Sequence, residues 1–220
     1  MERRLFTLSL RKKSTLGDYN IKIVLALTSP AMWVLIARST QVLPEWGGVF
    51  HNFSKRTNVF FSNESLLQVL AMRHAEVDSS GYLFVVSKLF YNKLSVFISE
   101  FLSFLSFYSP RFFFQAGDGT VFSPNIVEPI VFLLFPFWVY GLFLNIKNKR
   151  WWLLAAYLSA GLFAFLFGKR ELSFLWPVLL FQLYFIHTGI KTLLPHKITK
   201  VYLGVTVLYG IFLLGRIITL

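Results

Sequence analysis

Read from the amino terminus, the chain is a succession of long apolar runs separated by short basic or mixed segments. A helix needs about 20 apolar residues to cross a bilayer's hydrocarbon, with about 17 as a lower limit. Runs of that length cover residues 21–37, 126–146, 151–167, 172–190 and 201–218. The four prolines inside them, Pro30, Pro129, Pro136 and Pro177, are compatible with such helices, because neighbouring groups can satisfy the freed carbonyls. The pattern therefore predicts an all-α fold: a polytopic membrane helix bundle of about five transmembrane helices. It divides the chain into a basic N-terminus (1–20), a first span (21–37), a long loop (38–125) and a block of four spans (126–220).

The loop is not uniform. Residues 82–109 are apolar enough to suggest a further span, but Lys88, Asn92, Ser95, Ser99, Ser103 and Ser106 recur at steps of three and four. That spacing lays a polar stripe along one helix face. A helix with one polar stripe and a bulky apolar face suits the membrane surface, so the segment is read as an interfacial amphipathic helix. Residues 41–61, with Pro44, Gly47 and Gly48, read as irregular, and 64–76 as a short helix.

Lysine and arginine near the span ends set the orientation. Arg3, Arg4, Arg11, Lys12, Lys13 and Lys22 flank the first span. Lys147, Lys149 and Arg150 separate the second from the third, and Lys191, Lys197 and Lys200 the fourth from the fifth. With five spans these clusters share one side, the cytoplasm. From residue 39 to 125 the long loop carries six Lys/Arg against Glu45, Glu64, Glu76, Asp78, Glu100 and Asp118, and it falls outside with the short turn at 168–171. The expected protein is a multi-pass component of the inner (plasma) membrane, with a cytoplasmic N-terminus and an external C-terminus. Residues 21–37 are read as a retained helix, because no small-residue cleavage site follows them.

Composition agrees with lipid as the main solvent. Hydrophobic residues make up 55% of the chain and charged residues 15%, against about a quarter charged in soluble domains. The net charge of +12 would raise nucleic acid as a partner in a soluble protein. Here the charge sits beside apolar runs as topology signals, so membrane lipid is the expected partner and nucleic acid is not. The chain has no cysteine, which excludes thiolate metal sites and cysteine nucleophiles. His51, His74, His187 and His196 are scattered, and no P-loop, GxSxG or HExxH pattern occurs. No metal and no cofactor is expected, and no catalytic residue can be named.

Two local features remain. Gly117-Asp118-Gly119 is either a plain turn, for which Asp-Gly is a common pair, or a loop whose aspartate meets a metal or sugar hydroxyl. Lys169-Arg170 occupies the very short outer turn. Cations on this side run against the positive-inside rule; they either snorkel at a helix end or hold a lipid phosphate through charge-assisted bonds. Arg111 is a further cation of the same face. Arg111, Asp118, Lys169 and Arg170 are the candidate substrate-binding residues.

The stretch Tyr108-Ser-Pro-Arg-Phe-Phe-Phe-Gln-Ala-Gly-Asp-Gly119, preceded by Leu89-Phe-Tyr-Asn-Lys93, resembles a segment of bacterial polyprenyl-phosphate-dependent glycosyltransferases of the GT-C class. These are relatives of protein mannosyltransferases and aminoarabinose transferases (glycosyltransferase family 39-like). The resemblance runs over about residues 50–190. It implies a polyprenyl-phosphate sugar donor bound at the outer face. It also implies departures. After Gly-Asp the family often has a basic pair, and this chain has Gly119-Thr-Val-Phe-Ser-Pro124. The family's catalytic carboxylate lies in a first outer loop that this chain lacks. The chain is therefore expected to be the C-terminal portion of such an enzyme without the catalytic base: a fragment, a split subunit that works with a partner membrane subunit, or a degenerate relative. The alternative is a non-catalytic membrane assembly or scaffold protein.

Overall fold

A computed structural model describes residues 15–61, 67, 71, 93–115, 119, 128–194 and 196–218. Among them every regular element is a helix and no strand occurs. The order is α1 (Thr15–Thr28), α2 (Pro30–Ala37), α3 (Ser39–Trp46), α4 (Val49–Phe61), α5 (Lys93–Ser106) and α6 (Pro110–Phe114). A 3₁₀ turn (Phe132–Leu134) then leads into α7 (Phe135–Lys147), α8 (Trp151–Phe167), α9 (Leu172–Leu193) and α10 (His196–Ile218).

The all-α expectation holds for the described residues. Two helices, Leu172–Leu193 and Ile198–Arg216, are long and apolar enough to cross a membrane. Phe132–Lys147 and Trp151–Phe167 are apolar but shorter. α9 is the central element, with Phe174, Leu175, Val178, Leu179, Phe185 and Ile186 all buried. α7 packs most closely on it. A Cβ on Gly141 would overlap the carbonyl of Phe185, and one on Gly189 would overlap the carbonyl of Phe137. Small residues at both positions let the two backbones touch, the usual device where helix association relies on van der Waals packing.

Two elements depart from the periodicity. The run at 21–37 is not one helix; it breaks at Ser29. Pro30 has no N–H and must begin a new helix. The freed groups find partners. Ser29 N–H donates to Ala26 O (3.3 Å), Trp33 Nε1–H to Leu27 O (2.6 Å), and Ala31 N–H to Pro129 O (3.0 Å). Ser29 Oγ–H also donates to Pro129 O (2.9 Å). The second run begins late for a related reason. Residues 128–131 are not helical. Glu128 caps the 3₁₀ turn by accepting from Phe132 N–H (2.8 Å), and it also accepts from the Tyr209 hydroxyl (3.1 Å). The two interruptions lie against each other, so Pro129 in the second supplies an acceptor for the first.

Residues 41–61, expected to be irregular, are almost wholly helical. Gly47 and Gly48 form only the turn between α3 and α4, and Pro44 is accommodated inside α3. The interfacial helix expected at 82–109 is described only from Lys93. It ends at Ser106 and turns into α6. In α6, Phe112, Phe113 and Phe114 are buried, and Ile130 N–H donates to Phe113 O (2.7 Å). The helix expected at 64–76 lies outside the described residues apart from Leu67 and Ala71, both helical.

α10 leaves one apolar face open. Ile198, Val201, Val205, Leu208 and Phe212 follow a helical spacing and are 50–70% exposed. A continuous surface of this kind calls for lipid or another helix against it.

Gly141→Ala or Gly189→Ala should lower stability by about 1–3 kcal/mol through overpacking, read as a reduced Tm of the detergent-solubilised chain. Gly204 has nothing within contact of an added Cβ, so Gly204→Ala should be neutral or raise stability by up to about 1 kcal/mol. Equal effects at the three positions would mean that α7 and α9 are not in backbone contact.

Candidate functional site

The turn between α8 and α9 is built tightly. Gly168 N–H donates to Ala164 O (3.0 Å), closing α8. A Cβ on Gly168 would overlap the Phe174 ring, so the chain folds straight back onto that ring. The carbonyl of Glu171 then accepts from Phe174 and Leu175 N–H (3.0 and 2.9 Å) and starts α9. Lys169 and Arg170 form the exposed corner.

α3 and α4 are held against this corner by aromatic contacts. Pro177 lies inside α9 and has no N–H for the carbonyl four residues earlier. That carbonyl, of Ser173, accepts from Trp46 Nε1–H instead (3.2 Å). The Trp46 ring also stacks on Phe174, with centroids 5.6 Å apart. One turn into α4, Phe53 stacks on Phe167 at 4.9 Å, and Asn52 Nδ2–H donates to Phe167 O (3.4 Å). The Arg56 guanidinium lies 4.7 Å from the centroid of the Phe165 ring, an attractive position for a cation over a π-face.

Together α4, α5 and the turn enclose a cleft of about 510 Å³. Lys55, Arg56, Lys169 and Arg170 line it, with Asn52, Ser103 and Ser106 as neutral polar groups and Phe107 and Gly168 completing the wall. Four cations converge from two elements, and among the described residues no carboxylate is in the wall. The nearby carboxylates are engaged at its edge. Glu100 pairs with Arg56 (3.2 Å), and Glu45 pairs with Lys169 (3.4 Å). The second pair is the more exposed and correspondingly weak. Such a wall can offer several charged hydrogen bonds to the oxygens of an anion. Among the described residues no group of three or more His, Cys, Asp or Glu is arranged for a metal.

Of the expected site residues, Lys169 and Arg170 are brought together in this wall. Arg111 is not. It is on the exposed side of α6, whose three phenylalanines face the core, and it does not line the cleft. Asp118 lies outside the described residues, although its neighbour Gly119 takes a left-handed backbone (φ 80°) that suits glycine. Of the polar stripe on the interfacial helix, Ser103 and Ser106 face the cleft. Lys55 and Arg56 are not singled out by the sequence. Their signal is the spacing of Asn52, Lys55 and Arg56, three and four residues apart, which makes one face once the segment is helical.

No protein-family model, curated protein or solved structure matches the chain.

Glu100→Gln removes the charge that restrains Arg56. Binding of inorganic pyrophosphate, measured by isothermal titration calorimetry at low salt, should tighten up to about fivefold, the scale of one partly exposed pair. Affinity that is unchanged or weaker would mean that Arg56 does not face the anion.

Proposed function

We propose that the chain is a multi-span membrane protein, N-terminus inside, that holds the phosphate of a polyprenyl-phosphate-linked sugar in the outer basic cleft. The observation that carries this reading is the convergence of four cations on one concave wall without a carboxylate among the described residues. The charge pattern adds to it. Lys147, Lys149, Arg150 and Lys191 belong to the opposite end of the antiparallel α7–α8–α9 helices, where positive-inside topology predicts an excess of cations. It does not account for the cations of the cleft. Trp151 and Trp152, at the start of α8, are 61% and 72% exposed and suit the headgroup level of the inner face. The open apolar face of α10 suits lipid. With α1 and α2 counted as one interrupted crossing, five crossings result.

On this reading the cleft stabilises charge on the leaving phosphate during sugar transfer, the task of fixed cations at developing negative charge. No carboxylate is among its described lining residues; Glu45 and Glu100 stand at its edge, each paired with one of its cations. The chain is therefore the lipid-phosphate half of a GT-C-like enzyme, with the carboxylate supplied by a partner membrane subunit. The lack of a carboxylate in the described wall equally favours the second reading, a non-catalytic assembly or scaffold protein whose cleft grips lipid without turnover.

In nanodiscs, Lys169→Ala with Arg170→Ala should weaken polyprenyl-phosphate binding by about ten- to a hundredfold, the loss of two charge-assisted contacts, while the Tm changes little. Equal affinity of variant and parent would remove the phosphate assignment. In proteoliposomes with a radiolabelled polyprenyl-phosphate sugar, the chain alone should transfer none. Transfer that is lost on Asp118→Asn would show that the base is in this chain after all.

A further inference from the structure

A second basic cleft, of about 420 Å³, lies at the other end of the bundle. Lys22 of α1, Arg150 from the α7–α8 turn and Lys191 of α9 line it, with Asn148, Tyr184 and His187. Three separate segments contribute one cation each, and among the described residues no carboxylate is in the wall.

The arrangement is built rather than incidental. α7 ends in a two-bond cap: Arg150 N–H donates to Asn145 O (3.0 Å) and Lys149 N–H to Ile146 O (3.0 Å). That motif needs a left-handed residue at its corner, commonly glycine. Here Lys149 takes the position, with φ 54°, at a cost of about 1 kcal/mol or more. The cap delivers Arg150 to the α9 surface, where Nη1–H donates to the Tyr184 hydroxyl (3.0 Å). This partner is neutral, so it orients the guanidinium without cancelling its charge. On α9, Tyr184, His187, Thr188 and Lys191 follow at i, i+3, i+4 and i+7 and form one polar face on a mostly apolar helix. Polar groups on such a helix are costly in lipid and mark a functional surface. The hydroxyl of Thr188 donates to Tyr184 O (3.0 Å), so its oxygen lies on the wall as an acceptor and the cations remain the principal donors.

We infer that this cleft is a separate binding site for a phosphate group, that of an anionic phospholipid headgroup in the leaflet opposite the outer cleft. Basic pockets between helices on that side are suited to such headgroups. The inference rests on Lys22, Arg150 and Lys191 and on the membrane-spanning reading proposed above, and it stands whether or not the outer cleft binds a polyprenyl phosphate.

The test compares lipid retained by the full chain in detergent, by native mass spectrometry, after incubation with phosphatidylglycerol or phosphatidylcholine. The parent should retain phosphatidylglycerol in preference. Lys22→Gln with Lys191→Gln should weaken that retention by about 30-fold, the effect of two cations near an anionic surface, and Lys22→Arg with Lys191→Arg should restore it. Both positions are exposed, and the arginine pair guards against a loss that merely reflects misfolding. A parallel melt in millimolar inorganic phosphate separates the sources. A Tm rise that the glutamine pair abolishes shows that free phosphate shares the site. No rise, with lipid retention intact, assigns it to the headgroup. Equal retention of phosphatidylglycerol by parent and glutamine pair overturns the inference, as does equal retention of the two lipids by the parent.

Discussion

The backbone contact between α7 and α9 is the constraint on which the remaining geometry depends. Two glycines, Gly141 and Gly189, each face a carbonyl of the opposite helix. Neither helix can slide or rotate without driving a side chain into that gap, so their register is fixed. α8 is tied to both by two short turns, residues 148–150 and 168–171. Once α7 and α9 are in register, the two turns are set at opposite ends of the same rigid unit, and both basic clefts are built on them. A side chain at either glycine would therefore disturb sites far from itself, because it would change the distance between the helices that carry the turns.

Around this unit the chain manages three prolines by moving hydrogen bonds between elements. Pro30 interrupts the first apolar run, and its start is stitched to the carbonyl of Pro129, itself in a non-helical stretch. Pro177 frees the carbonyl of Ser173, which Trp46 takes. A buried backbone group left unsatisfied costs about 1–3 kcal/mol, so these pairings fix tertiary positions rather than merely tolerate breaks. The Trp46 bond has a consequence for the outer cleft: it brings α3, and with it α4, to the α8–α9 turn. The cations of α4 reach Lys169 and Arg170 through a defect in α9.

The same bonds explain which parts of the molecule are legible in the sequence. α8 and α9 start where their apolar runs start, because uninterrupted runs bounded by Arg150, Gly168 and Glu171 leave few alternatives. Lys169 and Arg170 are legible for the same reason: a four-residue turn between two helices has nowhere else to put them. The broken first run is not, since a periodicity reading can tolerate Pro30 inside a helix and cannot see Pro129, about a hundred residues away. The helical state of 41–61 is hidden by Pro44, Gly47 and Gly48, whose local preference is outweighed by Trp46 and Phe53 stacking on Phe174 and Phe167. With that helix go Lys55 and Arg56, half of the cationic wall. Proximity in sequence misplaces Arg111. It neighbours three phenylalanines that plug the core, and a helix turning those rings inward turns Arg111 away from the cleft.

The two clefts also illustrate why net charge alone is a poor guide here. On the proposed topology most of the +12 lies at the inner span ends, where a cation needs only to snorkel into water. Snorkelling separates charges, because like charges repel and each side chain is free to find solvent. Convergence is the opposite outcome. Lys55, Arg56, Lys169 and Arg170 share one wall, and Lys22, Arg150 and Lys191 share another, in each case without a carboxylate among the described lining residues. Holding like charges together costs energy unless something compensates. The outer cleft uses Glu45 and Glu100 at its edge, and the inner one gives Arg150 a neutral tyrosine. The excess of positive charge in each wall is what an anionic headgroup can relieve. The proposed outer site and the inferred inner one thus follow from the same electrostatic imbalance, fixed at two ends of one helix pair.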